Sequence, residues 1–197
     1  MKKNFLISLM AVAAAACLLF ALNLGLEGIA RSNRETVQQQ MMEAMVPGSK
    51  IFAQETYAGE DTNIVTAWKG ESGYVVETRT YGYAGWISML IGVSNGGQVT
   101  GLVVTDLSET PGLGSHALTD WEFLARFLNT KGDVAIGTAG ADAFTGATGG
   151  DKAEAQTYVD GITGATVTSK AVARSVNSAV AYVTGADAAS GATSWGG

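Results

Sequence analysis

Three short segments of the chain place a threonine directly after a Gly-Ala pair, where its hydroxyl could bind or carry a phosphate group. They read DAFTGAT at residues 142–148, DGITGAT at 160–166 and DAASGAT at 187–193. Only the middle segment leads, through Thr168 and Ser169, into a pattern typical of an amphipathic helix. A helix N-terminus offers free backbone N–H groups and the positive end of a dipole, which stabilise a phosphate. The sequence therefore favours Thr166 as the residue that carries an anionic group.

The residues next to this threonine are suited to that role. Gly164 and Ala165 leave the backbone open to the approach of a bulky group, and Lys170 adds a positive charge near the helix start. Thr148 is instead followed by Gly-Gly-Asp, which starts no helix, and Thr193 lies four residues from the end of the chain. An ordinary turn with a helix cap would use the same residue types, so the residues alone leave that alternative open.

The stretch from Asp160 to Thr168 occurs once and resembles the flavinylation motif of the FMN-binding domain family. In that family a flavin transferase joins FMN to a threonine through a phosphoester bond, and the match assigns this role to Thr166. Residues 109–114, ETPGLG, are similar to the family's second motif, a loop that packs on the flavin. The resemblance implies cofactor contacts at Asp160, Thr163, Gly164, Ala165, Thr166, Thr168, Lys170, Glu109, Thr110, Pro111, Gly112, Leu113 and Gly114.

The family includes the RnfG component of Rnf electron-transport complexes and the NqrC component of the sodium-pumping NADH:quinone oxidoreductase. Because the chain is short, the resemblance implies an RnfG-like electron carrier with covalent FMN, inside a ferredoxin:NAD+ oxidoreductase that transports Na+ or H+. The enzymatic activity would belong to the assembly, so the expected partners are the other membrane and peripheral Rnf subunits, with the flavin transferase during maturation. An NqrC-like or other extracytoplasmic flavin subunit is the alternative. A pilin-like structural protein fits poorly, because the pilin cleavage arrangement is lacking.

Composition argues against several other functions. The net charge is −6 and no Lys/Arg-rich run occurs, which argues against binding of nucleic acid. The single cysteine rules out an internal disulfide and a Cys-based metal cluster. The single histidine, His116, is expected to be a solvated loop residue, and no H-E-x-x-H, P-loop or Rossmann fingerprint occurs. We therefore predict no catalytic and no metal-binding residue.

The N-terminus contains an apolar run from Phe5 to Leu26 that only Ser8 and Asn23 interrupt. A helix of that length reaches roughly 33 Å, enough for a bilayer core of about 30 Å, whereas a cleaved signal peptide has an apolar stretch of about 7–15 residues. We therefore predict an uncleaved, single-pass anchor in the plasma membrane. Two lysines precede the run and two arginines follow it, so charge barely decides the orientation. The resemblance implies an extracytoplasmic domain.

The rest of the chain predicts an α+β domain with an antiparallel sheet and flanking helices. The expected boundaries are a membrane anchor at 1–30, a connecting helix at 31–48, the FMN-binding domain at 49–184 and a flexible tail at 185–197. Strands are expected at 62–68, 73–80, 86–93 and 98–105, the last two joined by a hairpin turn at 94–97. These strands precede the helices along the chain, which is why an α+β arrangement is favoured.

Two helices are expected after the strands. A capping box at 119–122, with Thr119 as the cap, opens the first helix, which should reach about Leu128. Trp121 and Phe123 at its start are expected to lie in the core. The second helix should run from 168 to 183, because apolar residues recur at helical spacing along it. Thr168 or Ser169 is the expected N-cap of that helix.

Overall fold

The computed structural model describes residues 10, 15–18, 20, 33, 35–109, 111–112, 114–137 and 157–186. The chain divides into two compact units, Met1–Met41 and Met42–Gly197. In the first unit, residues 35–41 are helical. No helix among the described residues is long and apolar enough to cross a membrane. Most of the predicted anchor from Phe5 to Leu26 lies outside the described residues.

Five antiparallel strands form the main sheet of the second unit, side by side in the order of the sequence. They are β1 (Ala53–Glu55), β2 (Ile64–Lys69), β3 (Gly73–Tyr81), β4 (Trp86–Ser94) and β5 (Val99–Leu107). The four predicted strands correspond to β2–β5, which confirms the antiparallel sheet. The predicted hairpin turn joins β4 to β5, and Gly97 adopts φ 77° there, a conformation that L side chains disfavour.

Two short helices follow the sheet, α1 (Gly114–Thr119) and α2 (Trp121–Ala125). The prediction of Thr119 as the cap of α2 is wrong, because this residue ends α1 and Asp120 is the cap. The Asp120 carboxylate accepts a hydrogen bond from the backbone N–H of Glu122 at 2.9 Å. The predicted extent to Leu128 is also wrong, since regular helix stops at Ala125 and turns follow. Aspartate is as good a cap as threonine, so the sequence alone did not decide between adjacent positions.

The long C-terminal helix, α3, runs from Thr166 to Thr184 and starts two residues earlier than predicted. Its N-cap residue is Ala165, which makes no side-chain capping bond, so the assignment of Thr168 or Ser169 as the cap is wrong. The Ser169 hydroxyl donates to the carbonyl oxygen of Ala165 at 2.9 Å, within the first turn. At the other end, Gly185 adopts φ 69° and terminates the helix.

Helix α3 packs along one face of the sheet and forms the main core with it. Its predicted apolar stripe is buried at Val172, Val176, Ala179 and Val180, and Val183 is partly buried. Two polar contacts also join it to neighbouring elements: Thr80 and Ser175 hydroxyls lie 2.9 Å apart, and Asn63 Nδ2 donates to Ser178 Oγ at 3.2 Å. These contacts fix the helix, and with it Thr166, relative to the sheet.

The opposite face of the sheet is covered by a segment that precedes β1 in the chain. Met42, Met45 and Val46 are buried, and they lie outside the main core cluster. Three glycines, Gly73, Gly92 and Gly101, form what we term the glycine patch. A Cβ atom on Gly92 would lie 2.7 Å from the Met45 carbonyl oxygen, and one on Gly101 would lie 3.0 Å from Met45 Cα. Because these positions have no side chains, the backbone around Met45 can lie directly on the sheet.

A separate parallel pair, β6 (Val134–Ile136) and β7 (Thr157–Val159), leads the chain toward α3. The Asn177 side chain holds β6 against α3, because its Oδ1 accepts from Val134 N–H at 2.9 Å and its Nδ2 donates to the Val134 carbonyl at 3.0 Å. The sequence did not predict this pair, since three-residue strands are too short to show alternation. The segments 142–148 and 187–193 lie outside the described residues.

Candidate functional site

The start of α3 presents Thr166 as its first residue, with the side chain exposed to solvent. Gly164 adopts φ 81° two residues earlier, a conformation that favours glycine. Because the side chain of Ala165 cannot accept a hydrogen bond, it does not cap the backbone N–H groups in the first turn of the helix. Such a helix start can accept a phosphate or another anion beside the Thr166 hydroxyl.

The segment between β7 and α3 is held in place by two neighbours. Arg126 Nη1 donates to the Asp160 carbonyl oxygen at 3.0 Å, and the Ile162 N–H donates to Ser169 Oγ at 3.2 Å. A turn closes where the Ala165 N–H donates to the Ile162 carbonyl at 2.9 Å. Asp160, Thr163 and Gly164 are exposed, Ala165 is buried and Lys170 is half-buried. The segment is therefore ordered by its backbone, and several of its side chains remain accessible.

Glu109, the first residue of the ETPGLG loop, is buried with 9% of its surface exposed. Its Oε1 accepts from the Tyr83 backbone N–H at 2.7 Å, and its Oε2 accepts from the Ala84 N–H at 3.2 Å. These two residues lie in the turn between β3 and β4. A Cβ on Gly82 would collide with Oε1, so the turn approaches the carboxylate as closely as a glycine allows. The carboxylate thus ties the loop to the β3–β4 turn.

Gly114, at the far end of the same loop, brings the two sequence motifs together. A Cβ atom on Gly114 would lie 2.6 Å from Glu109 Oε2 and 2.9 Å from Thr168 Oγ1. The ETPGLG loop and the start of α3 are therefore neighbours, although more than 50 residues separate them. Pro111 and Gly112 are exposed, and Gly112 adopts φ 83°. The remaining two residues of the predicted loop site, Thr110 and Leu113, lie outside the described residues.

Aromatic side chains surround the β3–β4 turn that Glu109 holds. Tyr81, Tyr83 and Trp86 are all exposed, and the Tyr81 and Trp86 rings meet edge to face with centroids 5.2 Å apart. The Arg79 guanidinium lies 4.8 Å from the centre of the Trp86 ring. Sequence reasoning missed this group, although the spacing of Tyr81, Tyr83 and Trp86 around two glycines was a usable signal for an exposed aromatic turn.

The two aromatic residues that the sequence places in the core, Trp121 and Phe123, differ in burial. Phe123 is fully buried and packs edge to face on Phe127, as a core residue should. Trp121 is 68% exposed, so the expectation that it lies in the core is wrong. The buried residues of α2 are instead Phe123 and Leu124. His116 is exposed, in agreement with a solvated position, but the expectation that it lies in a loop is wrong, because it belongs to α1.

The sequence profile of the FMN-binding domain matches residues 82–181, which include the β3–β4 turn, the ETPGLG loop and most of α3. The G subunit of the Na+-translocating ferredoxin:NAD+ oxidoreductase complex of Acetobacterium woodii is 34% identical over 102 residues, covering 48% of this chain and 46% of the relative. The G subunit of the proton-translocating ferredoxin:NAD+ oxidoreductase complex of Clostridium ljungdahlii is 32% identical over 131 residues, covering 61% of this chain and 67% of the relative.

The fold is also similar to a solved structure. It resembles the C subunit of the Na+-translocating NADH-quinone reductase from Parabacteroides distasonis with a TM-score of 0.54 and 20% identity, over 80% of this chain and 94% of that one. Similarity at this level of identity concerns the fold alone. The alignment with the A. woodii relative spans about half of that protein's length.

Proposed function

The chain belongs to the FMN-binding domain family, and from this premise we propose that it is an RnfG-like electron carrier with FMN attached covalently to Thr166. The observation that carries this proposal is the position of Thr166. Its hydroxyl is exposed at the first residue of a long helix whose start has no side-chain cap. The bond would join Thr166 Oγ to the FMN phosphorus.

The residues around Thr166 fit a phosphodiester. A diester keeps one negative charge, which the uncapped N–H groups and the positive end of the α3 dipole stabilise. Gly164, at φ 81°, shapes the turn without adding a side chain that would block the phosphate. Asp160, Thr163, Ala165 and Lys170 form the rest of the attachment segment that we propose.

The isoalloxazine ring of FMN requires an apolar surface next to Thr166. The ETPGLG loop lies beside the start of α3, because Gly114 approaches Thr168 there. We propose ring contacts at Thr110, Pro111, Gly112 and Leu113, with Glu109 and Gly114 holding the loop. Tyr83 lies on the turn that Glu109 holds, Trp86 begins β4 directly after that turn, and both rings are exposed. They offer a stacking surface, which tyrosine and tryptophan provide well.

The FMN would supply the ability to accept two electrons and to pass them on one at a time, while the protein supplies position and electrostatics. Relatives at 32–34% identity are G subunits of ion-translocating ferredoxin:NAD+ oxidoreductase complexes, which supports membership of such a complex. The partners would be the other Rnf subunits and, for maturation, a flavin transferase. The oxidoreductase activity and the transport of Na+ or H+ would belong to the assembly.

Intact-mass measurement on the protein purified from its native membrane tests the attachment. We expect the mass of the chain plus FMN less one water, because one phosphoester bond forms for each flavin. Peptide mapping should place the added mass on the peptide that contains Thr166. An unmodified mass, in protein that is also colourless, would contradict the proposal.

We also propose that residues 49–184 form the flavin domain and that the run from Phe5 to Leu26 anchors it outside the cytoplasm. Covalent attachment is most useful where a lost FMN could not be replaced, as outside the cytoplasm. An impermeant protease added to intact spheroplasts should release a fluorescent fragment. Digestion that occurs only after lysis would place the domain inside and overturn this topology.

A further inference from the structure

Thr168 stands out among the residues at the start of α3, because its side chain is fully buried and its Oγ1 has no hydrogen-bond partner within the described part of the chain. A buried hydroxyl without a partner destabilises the fold relative to one that is paired or absent. Valine has nearly the same shape and would avoid this cost. The Thr168 hydroxyl is therefore available to donate a hydrogen bond in another state of the protein.

The Glu109 carboxylate is a neighbouring group of suitable chemistry. Both Thr168 Oγ1 and Glu109 Oε2 lie against the same glycine, at 2.9 and 2.6 Å from the position that a Cβ on Gly114 would occupy. A carboxylate has about four acceptor positions, and within the described residues two backbone N–H groups donate to this one. Glu109 can thus accept a further hydrogen bond, and Thr168 has one to donate.

We infer that Thr168 is a positioning residue whose hydroxyl donates to the Glu109 carboxylate when the flavin is attached to Thr166. We term this contact the Thr168–Glu109 lock. It would fasten the start of α3, which carries the phosphate, to the loop and the β3–β4 turn, which face the ring. This inference rests on the proposed function, because attachment of the flavin is what closes the lock.

Removal of the hydroxyl should therefore affect the flavin-loaded protein and the unloaded protein differently. A hydrogen bond that forms only when the flavin is attached adds to the stability of the flavin-loaded protein and not to that of the unloaded protein. In unloaded protein, Thr168→Val should melt at or above the wild-type temperature, since an unpaired buried hydroxyl is lost. In loaded protein, the same substitution should reduce the extra stability that the flavin confers.

The experiment uses full-length protein made with and without the flavin transferase, in wild-type form and as Thr168→Val and Thr168→Ser. Melting temperature is measured for both forms, and circular dichroism in the visible flavin bands is measured for the loaded form. We expect Thr168→Val to reduce the flavin-dependent rise in melting temperature and to alter the flavin bands. Thr168→Ser keeps a hydroxyl and should restore both toward wild type.

A purely structural role predicts another result: equal changes in the loaded and unloaded melting temperatures, with unaltered flavin bands, and this would overturn the lock. Combining Thr168→Val with Glu109→Gln provides a second measurement. If the two side chains form one contact, the double variant should lose no more flavin-dependent stability than the more affected single variant. Additive losses would overturn the inference. An unmodified mass for wild-type protein made with the transferase would instead overturn the proposed function itself.

Discussion

Replacement of Thr166 by valine is expected to abolish covalent flavin completely. Valine preserves the branched shape at the first position of α3 but removes the only oxygen of that side chain that can form the phosphoester bond. The protein should fold, because this side chain is exposed and is not part of the core. The measurement is in-gel fluorescence of denatured protein under ultraviolet light, together with intact mass.

The other two Gly-Ala-Thr segments provide matched controls for this substitution. Thr148→Val and Thr193→Val change the same residue type after the same Gly-Ala pair. Both variants should retain wild-type fluorescence. Loss of flavin in either one, with retention in Thr166→Val, would show that the acceptor has been assigned to the wrong segment.

The second large effect is expected from Gly92→Ala in the glycine patch. The new Cβ would lie 2.7 Å from the Met45 carbonyl oxygen and 3.0 Å from Met45 Cβ. Backbone cannot move aside as a flexible side chain can, so the segment around Met45 must shift away from the sheet. We expect the free energy of unfolding to fall by about 1–3 kcal/mol, the usual range for overpacking, as measured by chemical denaturation.

Gly96→Ala is the appropriate control, because it makes the same chemical change in the same hairpin. A Cβ on Gly96 would meet only Ser94 Oγ, at 3.9 Å, which is ordinary contact. This variant should lose much less stability than Gly92→Ala. Equal losses in the two variants would mean that the segment around Met45 does not press on the sheet at Gly92.

The sheet could be predicted from the sequence because each of its long strands has a recognisable pattern of apolar residues. In β3, buried side chains alternate with more exposed ones over several residues, whereas β4 is a mostly buried apolar run that a Gly-rich turn follows. The two stretches that resemble motifs of the FMN-binding domain family could be found for a similar reason, since each is continuous. The three-residue strands β1, β6 and β7 carry no periodicity that could identify them.

The start of α3 and the role of Glu109 could not be predicted, because both depend on contacts between distant segments. Several hydroxyl residues near 166–169 could each have capped the helix, and packing on the sheet made Thr168 buried instead. Glu109 reaches the N–H groups of Tyr83 and Ala84 some 25 residues away. A local sequence pattern does not predict which distant backbone N–H groups will donate hydrogen bonds to a carboxylate.

The order of the strands has a consequence for the timing of maturation. Each strand of the main sheet pairs with its neighbour in sequence, so the sheet can assemble progressively as the chain emerges from the ribosome, with only short loops to close. Helix α3 is made after the sheet, and its buried side needs the finished sheet as a surface. Thr166 therefore reaches its place at the helix start late in biogenesis. A transferase that recognises the folded helix start would act only after synthesis of the domain is complete, and incompletely folded chains would remain unmodified.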